Sequence, residues 1–385
     1  MEAVRFCRRK VVTNYTTFTS LSMQHNPQSL PKESLPKESL PKAHLPKAHL
    51  TEDSLQEEHL PEKSPQSLRE LASLTRNSVA LFWHNCARDL PWRFGRTTPW
   101  GVLVCEVMSQ QTQMSRVVPY WLTWMQTWPD AQSLAHATSA EIITAWGRLG
   151  YPRRALRLQS CAKVVAETYH NKLPRTYEEL TALPGVGDYT ASAVLSFAYG
   201  KHIAVVDTNI RRVLVRAFTG TESHGGSTTQ SDRELAAAVL PEDNHSATNA
   251  TNATNASSAT CTSSATCTSS VWNQAIMEIG ATICTAQSPQ CTVCPLQTWC
   301  RFKAAGFPGL GVRRTRPQQH FAGTNRQVRG IILQALREAH RKQQVLQHSE
   351  ISNLWSNQAQ LGECIASLDH DRLITILPDG TLTLP

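Results

Sequence analysis

Thr181-Ala182-Leu183-Pro184-Gly185-Val186-Gly187-Asp188-Tyr189-Thr190-Ala191 is the stretch whose reading decides the fold. It reads as a helix end, a tight Gly-x-Gly turn and the start of a new helix. Pro184 and the glycines stop the first helix. Gly185 and Gly187 let the backbone come close to a partner, and amides left free at the start of the second helix can hold a phosphate oxygen. By itself the string also suits an ordinary helix–helix turn, so its surroundings matter.

On both sides the text is helical. Leu68 to Asp89 places Leu68, Leu71, Val79 and Phe82 at helical spacing. Val102–Met108, Ala140–Leu149, Ala155–Tyr169, Tyr177–Leu183, Thr190–Tyr199 and Asn209–Phe218 follow, with short Gly/Pro breaks and no strand alternation. An all-α architecture is expected. Near the C-terminus Gln327–His340 and His348–Leu368 are helical in pattern. Leu373–Leu377 and Thr381–Leu384 then flank Pro378-Asp379-Gly380, a good hairpin turn. Helices followed by a hairpin predict a small winged-helix-like module.

Downstream of the turn stand Cys284, Cys291, Cys294 and Cys300, spaced C-x6-C-x2-C-x5-C within seventeen residues. Four thiolates that close can wrap one metal centre, and four is what a [4Fe–4S] cluster requires. A structural zinc site is the alternative, but it usually shows two C-x2-C pairs separated by a longer span.

The chain has 385 residues, with Lys+Arg 38 against Asp+Glu 30, a net charge of +8. That balance fits a polyanionic partner and equally an ordinary solvated surface. No apolar run approaches the roughly 18 residues of a membrane span. Seven of the 11 cysteines lie outside the loop: Cys7, Cys86, Cys105, Cys161, Cys261, Cys267 and Cys364. They show no framework spacing, which suits a reducing interior. Met1 to Met23 lacks the apolar region of a signal peptide, and a mitochondrial presequence is the weaker alternative to a cytoplasmic, nucleoid-associated bacterial protein.

Three regions are expected. Residues 1–66 read as a disordered tail, because leucine recurs every fifth residue from Leu30 to Leu60 and P-K-E-S-L and P-K-A-H-L are each duplicated. A proline in each unit forbids helix, and the period fits neither a helix face nor a strand face. Residues 67–302 form the helical core, interrupted by a low-complexity insert at 246–270, read as a solvent loop whose N-x-S/T triplets matter only in a secreted protein. Residues 303–385 form the linker and C-terminal module.

Two carboxylates stand out. Glu106 lies in the apolar string Val102-Leu103-Val104-Cys105-Glu106-Val107-Met108. A carboxyl without its water shell resists ionising, so it is a candidate general acid at neutral pH; a buried, paired Glu is the plain alternative. Asp207 ends the apolar run Ile203–Val206 as a helix begins near Asn209. Asp is a common N-cap, and a capping carboxylate stays ionised. Cleaving an N-glycosidic bond needs one acid to protonate the leaving base and one anion to stabilise an oxocarbenium-like sugar. Glu106 and Asp207 are expected in the opposite environments that this division requires.

Arg88-Asp89-Leu90-Pro91-Trp92-Arg93 and Cys105-Glu106-Val107-Met108-Ser109-Gln110-Gln111-Thr112-Gln113 resemble signatures of the MutY adenine DNA glycosylases. So do Gly147–Leu156, the Leu183–Ala191 hairpin, Val206–Arg212, Trp272–Cys284 and the cysteine loop. The resemblance covers roughly 67–302 and is nearest the actinobacterial short form. It implies the helix-hairpin-helix fold of the endonuclease III superfamily, with a [4Fe–4S] cluster held by Cys284, Cys291, Cys294 and Cys300. It implies a monomer acting on double-stranded DNA that carries adenine opposite 8-oxoguanine or guanine.

By the same resemblance, Glu106 protonates adenine and Asp207 stabilises the sugar cation. Tyr189 brings a hydroxyl near Asp207 where lyase-active relatives carry a lysine, which implies a monofunctional enzyme. Arg88, Trp92 and Arg93 are implied to contact the flipped adenine or its pocket. Gln111, with Gln110, would fill the vacated stack. Tyr151 would press on the opposite base, Gln274 would be an active-site amide, and Asn209 would position water or a phosphate. Gly185 and Gly187 would anchor the DNA backbone.

Two departures stand beside the match. Ser109 occupies a position usually held by leucine. The roughly 85 residues after the last loop cysteine carry no sign of the NUDIX-like domain of longer members. An endonuclease III-like glycosylase with lyase activity, and a non-catalytic iron–sulfur DNA-binding protein, remain the alternatives.

Overall fold

The computed structural model describes residues 67–243, 267–312 and 321–385. The repeat-bearing tail, most of the 246–270 insert, Cys7 and Cys261 lie outside the described residues. Within them the expected helical architecture is found, and no helix is long and apolar enough to cross a membrane.

One core gathers α2 (Pro99–Ser109), α3 (Met114–Thr127), α4 (Ala131–His136), α5 (Ser139–Trp146), α6 (Arg153–Thr168), α7 (Tyr177–Thr181) and α8 (Asp188–Tyr199). Trp124 sits at its centre, with edge-on contacts to Trp128 at 4.7 Å and Trp146 at 5.6 Å. Such aromatic pairs add to the apolar burial that drives the core together. Helix α2 begins sharply, with the Thr98 hydroxyl accepting from the Gly101 amide and Pro99 at its first position. Every residue from Trp100 to Met108 is buried. Glu106 is therefore carried into the interior by an otherwise apolar helix.

The second core packs α1 (Leu68–Cys86) and Ala193 of α8 against α9 (Thr208–Leu214), α10 (Gln230–Val239) and α11 (Ser269–Thr282). Gly280 lets α11 approach α9. A Cβ there would lie 2.6 Å from the Asn209 carbonyl oxygen. After α9 the helix widens into a π turn at Val215–Thr219. After α11 come the cysteine loop, with a 3-10 turn at Cys291–Val293, and the short α12 (Arg301–Ala304).

The third core unites α13 (Asn325–Arg341), α14 (His348–Ser352), α15 (Gln358–His370) and the hairpin β1 (Thr375–Ile376) and β2 (Leu382–Thr383). The strands are antiparallel, pairing Thr375 with Thr383 and Ile376 with Leu382, and Leu346 bridges Leu382 from the other side. The order of helices and hairpin matches the sequence reading, but His348–Leu368 is not one helix. Asn357 starts a new one by accepting from the Gln360 amide at 3.1 Å, and Trp355 donates to Gln360 Oε1 at 2.7 Å. This core also takes in Ala140 and Ile143 of α5.

Candidate active site

The first two cores meet at a seam where α2 supplies Glu106, α8 supplies Tyr189 and the start of α9 supplies Asp207. The Tyr189 hydroxyl donates to Glu106 Oε2 at 2.8 Å. Burial raises the Glu106 carboxyl to about 7; the Tyr189 hydrogen bond opposes the rise and the Asp207 charge adds to it. Tyr189 itself is held well above the usual phenol range, by burial first and then by the two carboxylates, so its proton stays in place. The hydroxyl lies near Asp207, as expected, close enough to feel its charge, and its hydrogen bond goes to Glu106.

Asp207 caps α9. Its Oδ1 accepts from the Ile210 amide at 2.6 Å and its Oδ2 from Asn209 Nδ2 at 2.9 Å. Burial raises its pKa above the ordinary aspartate value, against the pull of those hydrogen bonds and Arg212. The expected opposite environments are thus corrected: both carboxyls are pushed up by burial. What separates them is that the capping amide and Asn209 stabilise the anion of Asp207. Asn209 is occupied rather than free for water, because its Oδ1 accepts from Arg212 at 2.9 Å.

Arg88 and Arg93 are also engaged. Arg88 grips Glu278 with Nε at 2.6 Å and Nη2 at 2.8 Å, and Arg93 Nη2 reaches the same carboxylate at 2.7 Å. Glu278 is 0 % exposed. Burial would raise its pKa, but the two guanidiniums overcome that and hold it at about 2. Both arginines, expected to contact adenine or its pocket, form an internal clamp between the chain before α2 and helix α11. Arg93 still lowers the Glu106 pKa through space, so the clamp borders the site. Trp92 packs on the first core, edge-on to Trp121 at 5.4 Å. Gln274 turns to its own helix, with Nε2 3.3 Å from Ser270 Oγ.

Two residues went unread in the sequence. Glu278 was the only acid in Ala275-Ile276-Met277-Glu278-Ile279, a signal of the same kind as that of Glu106. Asn273 is buried, and its Nδ2 donates to Ser196 Oγ and the Ile203 carbonyl, both at 2.9 Å. It ties α8 to the segment that delivers Asp207.

At the outer edge Gln111 is exposed with φ 54°, and Tyr151 is 47 % exposed with φ 48°. Positive φ strains an L residue, so both loops need support. Arg154 gives it. Its Nη1 donates to the carbonyls of Val107 at 2.7 Å and Gln110 at 2.6 Å, and its Nη2 to that of Gly150 at 3.0 Å. Its guanidinium also lies over the rings of Trp146 and Tyr151. Gly185 has φ 80°, and Gly187 caps α8 with no side-chain hydrogen bond to the first amides. Both glycines are exposed beside those amides.

The cysteine loop lies against the far side of α9. Burial raises Cys294 to about 12, and Cys284, Cys300 and Cys291 push it the same way. Cys291 is raised by burial and then by Cys284 and Cys300. The four loop cysteines therefore share one neighbourhood, each of Cys284, Cys291 and Cys300 acting on Cys294. Arg216, buried, approaches Cys284 Sγ at 3.5 Å and donates to the Thr285 and Ala286 carbonyls at 2.7 and 2.9 Å. Arg212 donates to the Cys284 carbonyl at 2.7 Å. A chain of hydrogen bonds thus runs from Asp207 through Asn209 and Arg212 to the loop.

Residues 104–238 match the model of the HhH-GPD superfamily base excision DNA repair proteins, and residues 284–300 match the iron–sulfur binding domain of endonuclease III. The chain is 42 % identical to an adenine DNA glycosylase of Mycolicibacterium smegmatis over 79 % of its own length and 94 % of that protein's. It is 38 % identical to the adenine DNA glycosylase of Mycobacterium tuberculosis, covering 84 % of this chain and 97 % of the relative. Among solved structures it resembles a thermostable thymine-DNA glycosylase at 25 % identity and a TM-score of 0.51, over 61 % of this chain and 97 % of the other. The loop carries a [4Fe–4S] cluster.

Proposed function

The chain belongs to the adenine DNA glycosylases of base excision repair, and on that premise we propose that it removes adenine paired with 8-oxoguanine or guanine, as a monofunctional enzyme that leaves an abasic site. The observation that carries this reading is Glu106, buried, held near pH 7 and hydrogen-bonded to a tyrosine. An acid with a pKa at the working pH is a good proton donor. Adenine is a poor leaving group as an anion, so Glu106 gives its proton to a ring nitrogen as the C1′–N9 bond breaks. Asp207, as the carboxylate, stabilises the oxocarbenium-like sugar. Glu106, now ionised, takes a proton from the water that adds to C1′.

Tyr189 supports the monofunctional assignment. A Schiff base on the sugar needs an amine, and a phenol held fully protonated cannot supply one. Gln111 enters the gap left by the flipped base, and Tyr151 faces its partner. The exposed amides at Gly185 and Gly187 hold a backbone phosphate. Cys284, Cys291, Cys294 and Cys300 ligate the cluster, which with four protein ligands fixes the loop and leaves no open position for hydrolysis. Residues 67–302 form the glycosylase unit and 303–385 a linker and a small winged-helix-like module, and the protein works as a monomer.

The test is single-turnover excision from duplexes holding adenine opposite 8-oxoguanine, guanine or thymine, read with and without alkali. Product that appears only after alkali, fastest opposite 8-oxoguanine, is expected. Strand breaks without alkali would overturn the monofunctional reading. Equal rates against all three partners would overturn the mispair assignment.

A further inference from the structure

Helices α3, α5 and α13 enclose a cleft of about 650 Å3 between the first core and the C-terminal module, lined by Tyr120, Thr144, Arg148, Arg337 and Arg341 among others. None of Glu106, Tyr189 or Asp207 lines it. Arg337 is 4 % exposed, and its Nε donates to the Ile143 carbonyl at 3.0 Å. Among the described residues no carboxylate lies within ion-pair distance of Arg337, Arg148 or Arg341. Glu141 also lines the cleft, but its Oε2 is engaged by the Thr138 amide at 2.7 Å and hydroxyl at 2.8 Å.

A buried cation without a counter-charge is costly, and the neighbours make it more so. Burial lowers the Arg337 pKa to about 10, and Arg341 and Arg148 push it the same way. Thr144 lines the same cleft from α5. A guanidinium fork at the base and two more unpaired arginines at the mouth are complementary to a multiply charged oxyanion such as phosphate. The volume falls within the range of small-molecule sites.

We propose that this cleft binds a phosphate group, with Arg337 as the buried anchor and Arg148 and Arg341 at the mouth. The phosphate is either that of a free or small phosphorylated molecule, or one on the DNA backbone where the duplex passes the C-terminal module.

The test is calorimetric titration of the full, cluster-loaded chain with inorganic phosphate in a phosphate-free and sulfate-free buffer. Arg148→Glu/Arg341→Glu alters only exposed mouth residues and is compared at matched melting temperature. Arg337→Lys keeps the charge and removes the fork. Saturable binding by the wild type, weakened about tenfold or more in both variants, is expected. Adding a fully paired duplex separates the sources. Displacement of phosphate identifies a backbone phosphate, and no displacement identifies a free one. Absence of saturable binding in the wild type, or binding unchanged in folded Arg148→Glu/Arg341→Glu protein, overturns the proposal.

Discussion

The Tyr189 hydroxyl lies 2.8 Å from Glu106 Oε2, joining residues 83 apart in sequence on two different helices. The phenol keeps its proton, so it donates to the carboxylate form and lowers the Glu106 pKa against the rise from burial. Excision that needs the protonated acid should fall as pH rises through about 7. In Tyr189→Phe that fall should move up by roughly one pH unit. Single-turnover rates across pH 5 to 9 check this, and an unmoved profile would show that another group sets the limb.

Glu106 also links pH to stability. Its pKa is raised on folding from the ordinary glutamate value of 4.5 to about 7, so the folded state binds the extra proton and stability falls as pH rises through that window. Glu106→Gln removes the ionisation. It should abolish excision yet stabilise the fold at pH 8 by about 1–3 kcal/mol relative to wild type, with a smaller gain at pH 5. Urea unfolding at both pH values reads the difference.

The Glu278 clamp should be structural. Glu278→Gln leaves Arg88 and Arg93 without their counter-charge and should cost about 3–5 kcal/mol. Because the Glu278 pKa is depressed on folding to about 2, its contribution is complete above the ordinary glutamate range and is lost as pH falls toward 2. Thermal melts from pH 2.5 to 7 should therefore converge for wild type and variant at the acid end.

Asn209 and Arg212 connect Asp207 to the Cys284 carbonyl. Asn209→Ala should slow excision about 10–100-fold while iron content stays near wild type, because only the Asp207 end of the chain is lost. Arg212→Ala should lower both excision and retained iron. Iron assay and visible absorbance beside single-turnover rates separate the two outcomes.

Arg154 braces the carbonyls before Gln111 and Tyr151, so Arg154→Met should loosen both loops at once. A roughly 100-fold loss of excision with intact Glu106 titration is expected, since a small displacement of positioning groups costs that much. A pH profile of unchanged midpoint beside the lower rate would support a positioning role.

What could be read in the sequence was local. Pro184-Gly185-Val186-Gly187 breaks a helix wherever it occurs, the four cysteines lie within seventeen residues, and Glu106 stands alone in an apolar string. Each carries its physics in a few neighbouring residues. Other contacts depend on partners far away in the sequence. Arg88 and Arg93 lie 190 and 185 residues from Glu278, and no local pattern shows that α11 will bring that carboxylate to them. The same holds for Tyr189, whose choice of Glu106 over Asp207 is set by how α8 crosses α2. The break at Asn357 was within reach, since Asn followed by a Gln whose amide it caps is an N-terminal signal, but the apolar spacing across His348–Leu368 masked it.

Ala140 and Ile143 stand on α5 yet are buried among the side chains of the C-terminal core, and Arg337 reaches back to the Ile143 carbonyl. The module is therefore fused to the glycosylase unit through one helix that both claim. A chain cut after Gly311 would bare Ala140 and Ile143 of α5 to water. Residues 321–385 thus cover an apolar face of α5 as well as building a core of their own.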